Sequence, residues 1–307
     1  MSIIRNLINA AFCGLALTAT AAKAETLTVA LGTDPAFISV YVAEQRGLFE
    51  KAGLDVKLLR MAQGGDAMDA VVAGQATFGI AADQTVMIRL ARADIKPLAV
   101  VSESGTHLEL ISRPDIGDPS QIKKLGVIKG TVSEYAAVML LKKYQLDPSA
   151  VTLVPAGAPD LPALLQRGDV DAFFGWPPFN EQGRQQGGKT LLTSGDVGYV
   201  YTMWLSAQGE WLKTHQEEAK KFLAVVAEVN REITTDRNAA AIDFQKATRM
   251  RAADTVPLIE RLSFQTRDFS EADLVSVAGI ADFLYEQKRT PQRVNIENYV
   301  QKGFFKE

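Results

Sequence analysis

YVAEQRGLFEKAGLDVKLLRMAQGGDAMDAVVAGQATFGIAA, residues 41–82, alternates helix, strand, helix and strand. The pattern returns at residues 142–176, KKYQLDPSAVTLVPAGAPDLPALLQRGDVDAFFGW. In the first copy Leu54 and Asp55 lead into an apolar strand, a Gly65-Asp66 turn follows, a short helix stops at Gly74, and a second strand carries Phe78-Gly79. The second copy has Leu146-Asp147, Gly157, Asp160, Gly168 and Phe174-Gly175 at matching places. Asp66 to Gly74 and Asp160 to Gly168 are each eight residues. That spacing suits an Asp cap, a two-turn helix and a left-handed Gly behind it. One α/β unit used twice predicts two similar lobes.

The alternation continues outward from both copies. A strand at 26–31 and a helix at 37–51 precede the first, with Phe37, Val40, Tyr41, Leu48 and Ala52 at helical spacing before Gly53. A helix at 84–93 and a strand at 95–102 follow it, and 107–113 reads as an extended crossover. The second run has strands at 125–129, 150–155, 170–175 and 190–193, helices at 133–145, 160–167 and 178–186, and a second crossover near 199–206. This order predicts mostly parallel sheets covered on both faces. After Glu210 the pattern is helical, with long runs at 211–234 and 270–288 and no strand. Such a tail packs most simply back on the first sheet. The expected division is a signal peptide at 1–24, a discontinuous first lobe from 25–106 and 205–307, and a second lobe from 107–204.

Two α/β lobes joined by two crossovers form a cleft, and ligands bind such sheets at the carboxyl ends of the strands, where helix N-termini point. The loops at 32–38, 63–66, 82–84, 103–106, 130–134 and 176–178 are therefore expected around one cavity.

The first 24 residues read as an export signal, with Arg5 at the start, an apolar stretch from Leu7 to Ala22, and Ala22-Lys23-Ala24 as a cleavage site. The chain has a single cysteine, Cys13, inside that segment, so the expected mature chain has no thiol for nucleophilic catalysis or metal binding. Removing Arg5 and Lys23 leaves 31 basic against 36 acidic residues, with both signs interspersed. No basic patch points to nucleic acid, and no basic amphipathic helix points to a membrane surface. With 47% hydrophobic residues the chain can bury two substantial cores.

The run from Tyr41 to Val56, then Gly64-Gly65-Asp66-Ala67-Met68-Asp69-Ala70 and Ala73-Gly74-Gln75-Ala76-Thr77-Phe78-Gly79, resembles the periplasmic solute-binding proteins of the sulfonate, taurine, nitrate and thiamine-precursor import family. Asp171-Ala172 followed by Trp176-Pro177-Pro178 is similar to that family's second-lobe signature. The resemblance implies the type II two-lobe periplasmic-binding-protein fold, with two hinge crossovers and a ligand cleft between the lobes. It also implies a monomeric periplasmic receptor that needs no cofactor and hands a small solute to an ABC permease in the inner membrane. Fungal relatives of the family act as thiamine-pyrimidine synthases through a cysteine-rich motif that this chain lacks. A hydrolase or synthase of the same build is disfavoured too, since no G-x-S-x-G elbow, H-E-x-x-H or P-loop is present.

Nine residues are candidates for solute contact. Gly64 and Gly65 leave free N–H groups at a helix start, and Thr131, Ser133 and Glu134 stand at the corresponding mouth in the second lobe. Asp83 ends the apolar strand FGIAA, where it either caps the next helix or meets an amine in the cleft. Trp176, fixed by two prolines, suits a rigid apolar wall facing Asp83; Phe37 is a second aromatic wall, and Ser104 lies on the first crossover. Of the two histidines, His215 reads as surface, while His107 on the first crossover is within reach of the cleft. The cleft loops hold Asp34, Asp66, Asp83, Glu103 and Glu134 but only Lys129 as a cation. A small zwitterion such as taurine, or a nitrogen heterocycle such as a thiamine pyrimidine, fits that balance better than nitrate does.

Overall fold

The computed structural model describes residues 25–305, so the expected signal peptide lies outside the described residues. Along the chain run β1 (Thr26–Leu31), β2 (Asp55–Arg60), β3 (Phe78–Ala82), β4 (Ile95–Ser104), β5 (Glu109–Ser112), β6 (Lys124–Val127), β7 (Thr152–Pro155), β8 (Ala172–Gly175), β9 (Lys189–Thr193), β10 (Tyr201–Gln208) and β11 (Ser263–Arg267). They form a six-stranded sheet, ordered β11-β4-β10-β3-β1-β2, and a five-stranded sheet, ordered β7-β6-β8-β5-β9. All five residues of β3 are buried, as befits a strand covered on both faces, whereas the edge strand β2 buries none of its residues fully.

The sheets are less parallel than the alternation predicts. β1 runs parallel to β2 and β3, and β6 parallel to β7 and β8. The strands that carry the chain between sheets run the other way: β5 is antiparallel to β8 and β9, and β10 to β3 and β4.

The chain leaves the six-stranded sheet after Ser104 and is back in it at Tyr201. The two crossings lie side by side: Gly195 N donates to Gly105 O at 2.7 Å and Ser194 N to Leu108 O at 2.9 Å. A lobe boundary at 204/205 would cut β10, whose residues from Tyr201 onward pair with β4.

The tail packs on the first sheet. Phe222, in the helix Gln216–Thr235, stacks on both Phe49 and Phe78 with ring centroids 4.8 Å apart in each case. Asn230 on the same helix donates to Val101 O at 2.8 Å and to Thr266 Oγ1 at 2.9 Å, and accepts from Ser39 Oγ. The tail is not strandless, however. Its segment SFQTR forms β11 on the free edge of β4, with Phe264 and Thr266 buried. Five residues of mixed polarity carry little strand signal alone; the vacant edge supplies the rest.

Both predicted left-handed glycines are present, Gly74 at φ +71° and Gly168 at φ +76°. The capping expectation is corrected: Gln63 precedes the helix Gly64–Val72, which places Asp66 in its first turn, and Asp160 makes no side-chain cap bond. Among the described residues no helix is long and apolar enough to cross a membrane.

Candidate functional site

One cavity opens where the carboxyl ends of the two sheets meet. The first sheet contributes Asp34 and Phe37 after β1, Gln63 to Gly65 after β2, Ala82 and Thr85 after β3, and Tyr201 and Met203 from β10. The second contributes His107 and Leu108 from the first crossing, Thr131 and Val132 after β6, and Trp176 after β8. Its empty volume is about 540 Å3, the part open to solvent included.

Three helices begin at this cavity: Gly64–Val72, Asp83–Leu90 and Val132–Lys143. Each start brings the positive end of a helix dipole to the cavity, although Gln84 N is taken by Asp83 Oδ1 and Ser133 N by Thr131 Oγ1. Gly64 is needed because its helix start lies directly on β3. A Cβ there would stand 3.0 Å from Ala81 Cβ and 3.2 Å from Ala81 Cα, so a side chain would lift the helix off the strand. Among the described residues no lysine or arginine lines the cavity. Arg89 comes near Gly65 but is committed elsewhere, donating to both oxygens of Asp69 at 3.0 and 2.8 Å and to Thr85 O at 2.9 Å. Lys129, the expected cation, is exposed and does not line the cavity.

Of the nine candidates, Phe37, Gly64, Gly65, Thr131 and Trp176 line this space. The other four build its walls. Asp83, 1% exposed, accepts from Tyr199 Oη, from Thr202 N at 3.1 Å and from Gln84 N at 2.6 Å. Its oxygens are thereby committed to the second crossing, β10 and its own helix start, and it does not line the cavity that Trp176 lines, so the expected facing pair is not formed. Ser104 Oγ accepts from Thr106 N at 3.0 Å and His107 N at 2.9 Å, and donates to Arg261 O at 2.5 Å. Ser133 Oγ donates to Phe174 O at 2.9 Å, tying its helix to β8. Glu134 accepts from Gly130 N at 2.8 Å and from Arg289. Thr131 caps its helix, accepting from Ser133 N at 3.3 Å, while its hydroxyl donates to Ile128 O at 2.8 Å. Of the five carboxylates expected around the cleft only Asp34 lines the cavity; Glu103 pairs with Arg267 at 2.6 Å.

The cavity also has polar groups outside the nine. Asp34 is 8% exposed and His107 1% exposed, with His107 Nε2 at 3.2 and 3.3 Å from the two Asp34 oxygens. Asp34 Oδ1 also accepts from Ala36 N at 2.6 Å, and His107 Nδ1 is buried without a partner. Tyr201 adds a phenol that burial, with the charges of Asp34 and Asp83, holds well above the usual tyrosine range. Its sequence signal is the two-residue period that puts Tyr201 and Met203 on one face of β10. Among the described residues, no group of three or more His, Cys, Asp and Glu side chains is placed to hold a metal ion.

Glu134 connects the Gly130 turn to the tail of the chain. Glu134→Ala is expected to lower stability by about 1–2 kcal/mol and to accelerate hydrogen exchange at the Gly130 amide. Arg289→Gln leaves the Gly130 bond in place and should leave that amide protected. Equal exchange in wild type and Glu134→Ala would remove the carboxylate from the turn.

Two α/β sheets, two adjacent crossings and a cavity between facing strand ends define the two-lobe periplasmic-binding-protein class of folds. The chain belongs to the NMT1/THI5-like family, whose profile matches residues 34–239. It is similar to the taurine-binding periplasmic protein of Escherichia coli strain K12, at 23% identity over 308 aligned residues covering 94% of each chain. Its fold is shared with the periplasmic aliphatic sulphonate binding protein SsuA of Escherichia coli, at TM-score 0.80 and 18% identity, covering 90% of this chain and 97% of that one. An enzyme shares it as well, the desulfurization enzyme DszB, at TM-score 0.66 and 13% identity, covering 91% of this chain and 97% of that one.

Proposed function

We propose that this chain is a monomeric periplasmic receptor of an ABC importer, and that its lobes close on a small sulfonate with an amine or other nitrogen group at its far end. The observation that carries the reading is the convergence of three helix starts on a cavity that, among the described residues, is lined by no lysine or arginine. Backbone N–H groups and helix dipoles hold an oxyanion without a counter-charge, and a cavity that excludes water strengthens them. The taurine and sulphonate binding of the named relatives supports the same class of solute. Contacts from Phe37, Gly64, Gly65, Thr131 and Trp176 would then come from both lobes, as closure by a ligand requires. The permease in the inner membrane is the partner this role implies.

Binding without turnover is the chemistry we infer. His107 with Asp34 is an oriented base, but among the described residues no serine or cysteine lines the cavity, and of its two threonines neither is hydrogen-bonded to His107, Thr131 being committed to Ser133 N and Ile128 O. Thermal unfolding and calorimetry of the purified chain with taurine, short alkanesulfonates, nitrate and an aminopyrimidine test the reading. A sulfonate at about 100 times its dissociation constant is expected to add about 2.7 kcal/mol of stability. Stabilisation by the pyrimidine alone would replace the sulfonate with a heterocycle, and turnover of a bound sulfonate would replace the receptor with an enzyme.

A further inference from the structure

We infer that the tail helix Glu271–Glu286 latches the second lobe in the arrangement that encloses the cavity, through a notch at Gly279 that receives Tyr135. This rests on the reading of the chain as a receptor whose lobes close. Neither Tyr135 nor any residue that holds it lines the cavity. Tyr135 belongs to the second lobe, on the helix Val132–Lys143, while the tail helix packs on the first-lobe helix Asp83–Leu90.

The Tyr135 ring is 7% exposed and is held by aromatic rings of two other elements. It meets Tyr199 of the second crossing edge-on, with centroids 4.9 Å apart at 90°, and Phe283 of the tail helix at 5.3 Å and 52°. Its hydroxyl fills the space that a side chain at 279 would take, since a Cβ there would stand 2.9 Å from Tyr135 Oη. Gly279 is not among the glycines of positive φ, so the backbone makes no demand for glycine, and inside a helix glycine is weaker than alanine. The approach of Tyr135 supplies the reason for it. One residue earlier Glu134 accepts from Arg289, just past the end of the tail helix, so packing and charge close one seam together. The seam is coupled to the cavity through a single helix. Thr131 and Val132 line the cavity, and Glu134 and Tyr135 follow within a turn. Tyr135 cannot leave the notch without carrying that helix start away from the opposite lobe. Packed seams of this kind have discrete arrangements and do not deform continuously. A contact made only in the enclosed arrangement shifts the equilibrium toward it, and apparent solute affinity rises with the competent fraction.

Gly279→Ala favours the helix but drives a methyl into a hydroxyl whose ring is held on both sides. In solution scattering the solute-free variant should have a larger radius of gyration than wild type. Its taurine dissociation constant, by calorimetry, should rise about tenfold while its urea midpoint stays close to that of wild type. Tyr135→Phe removes the hydroxyl and keeps the ring. In Gly279→Ala with Tyr135→Phe the radius should therefore return to the wild-type value and the affinity to within about threefold of it. Arg289→Gln opens the other half of the seam without adding atoms and should move radius and affinity the same way by a smaller step; it decides the matter if Gly279→Ala does not fold. Equal radii in wild type and both single variants, or a Gly279→Ala defect that Tyr135→Phe does not relieve, would overturn the latch. So would unchanged taurine affinity in a variant whose radius has grown. If the radii respond as expected and taurine fails to bind wild type, the latch stands and the sulfonate reading falls.

Discussion

Acidification from about pH 7 to pH 4 is expected to stabilise the folded chain through Asp83 by roughly 2 kcal/mol, and Asp83→Asn to abolish that gain. Burial pushes the Asp83 carboxyl up from 3.8 to about 6, against the opposing pull of hydrogen bonds from Tyr199, Thr202 and Gln84. The sign follows from proton binding. Between about pH 6 and pH 3.8 the folded chain holds a proton at Asp83 that the unfolded chain has released, so stability rises as pH falls through the folded value and levels off below the unfolded one. Carboxylates held low by arginine, such as Asp273 beside Arg267, act in the opposite direction at lower pH. The quantity to measure is therefore the difference between wild type and Asp83→Asn in urea midpoints across that range. Parallel curves would show that Asp83 carries no such burden. The proton has a place to go, since Thr202 Oγ1 lies 3.4 Å from Asp83 Oδ2 and can accept.

This role for Asp83 shows where sequence reading stops. The repeat is visible because burial imposes periodicity: five buried residues before Asp83 and four before Trp176 mark two strand ends whatever lies beyond them. Strand ends in an α/β sheet also locate the cavity, and so Phe37, Gly64, Gly65, Thr131 and Trp176 can be placed around it from pattern alone. What pattern does not carry is the direction of a polar side chain at such an end. Asp83, Ser104, Ser133 and Glu134 each find a partner far away in sequence: Tyr199, Arg261 O, Phe174 O and Arg289. Those partners lie on the second crossing, the tail and β8, elements whose approach no local window contains. The same blindness hides β11, a strand made by a vacant edge, and the pairing of His107 with Asp34 across 73 residues.

The largest mutational loss is expected at Glu109, where β5 begins. Its side chain is 5% exposed, and it accepts from Arg184 Nη1 at 2.7 Å, from Asn180 Nδ2, and from Thr190 Oγ1 at 3.2 Å. Arg261 Nη1, from the tail that packs on the other sheet, stands 2.9 Å away. Glu109→Ala leaves the Arg184 guanidinium, the Asn180 amide and the Thr190 hydroxyl without their common acceptor, and takes the counter-charge from Arg261, whose Nη1 is near Glu109 but not aligned to hydrogen-bond it. Each arginine is about a third exposed, so water recovers part of the cost, and a loss of about 2–4 kcal/mol is expected in the urea midpoint. An unchanged midpoint would mean that water replaces the carboxylate fully. Arg261→Gln separates the second function of the cluster from the first. Arg184 and Asn180 still satisfy Glu109, so stability should change by less than about 1 kcal/mol. The Arg261 contact is the one that joins the two sheets behind the cavity, where the Arg261 carbonyl also receives Ser104 Oγ. If it is made only in the arrangement with the cavity enclosed, losing about 1 kcal/mol there moves the equilibrium between arrangements about fivefold. Solute affinity must follow by the same factor although Arg261 touches no solute. Equal affinity in wild type and Arg261→Gln would place the contact in both arrangements, making it a strut of the hinge and not a clasp of the closed form.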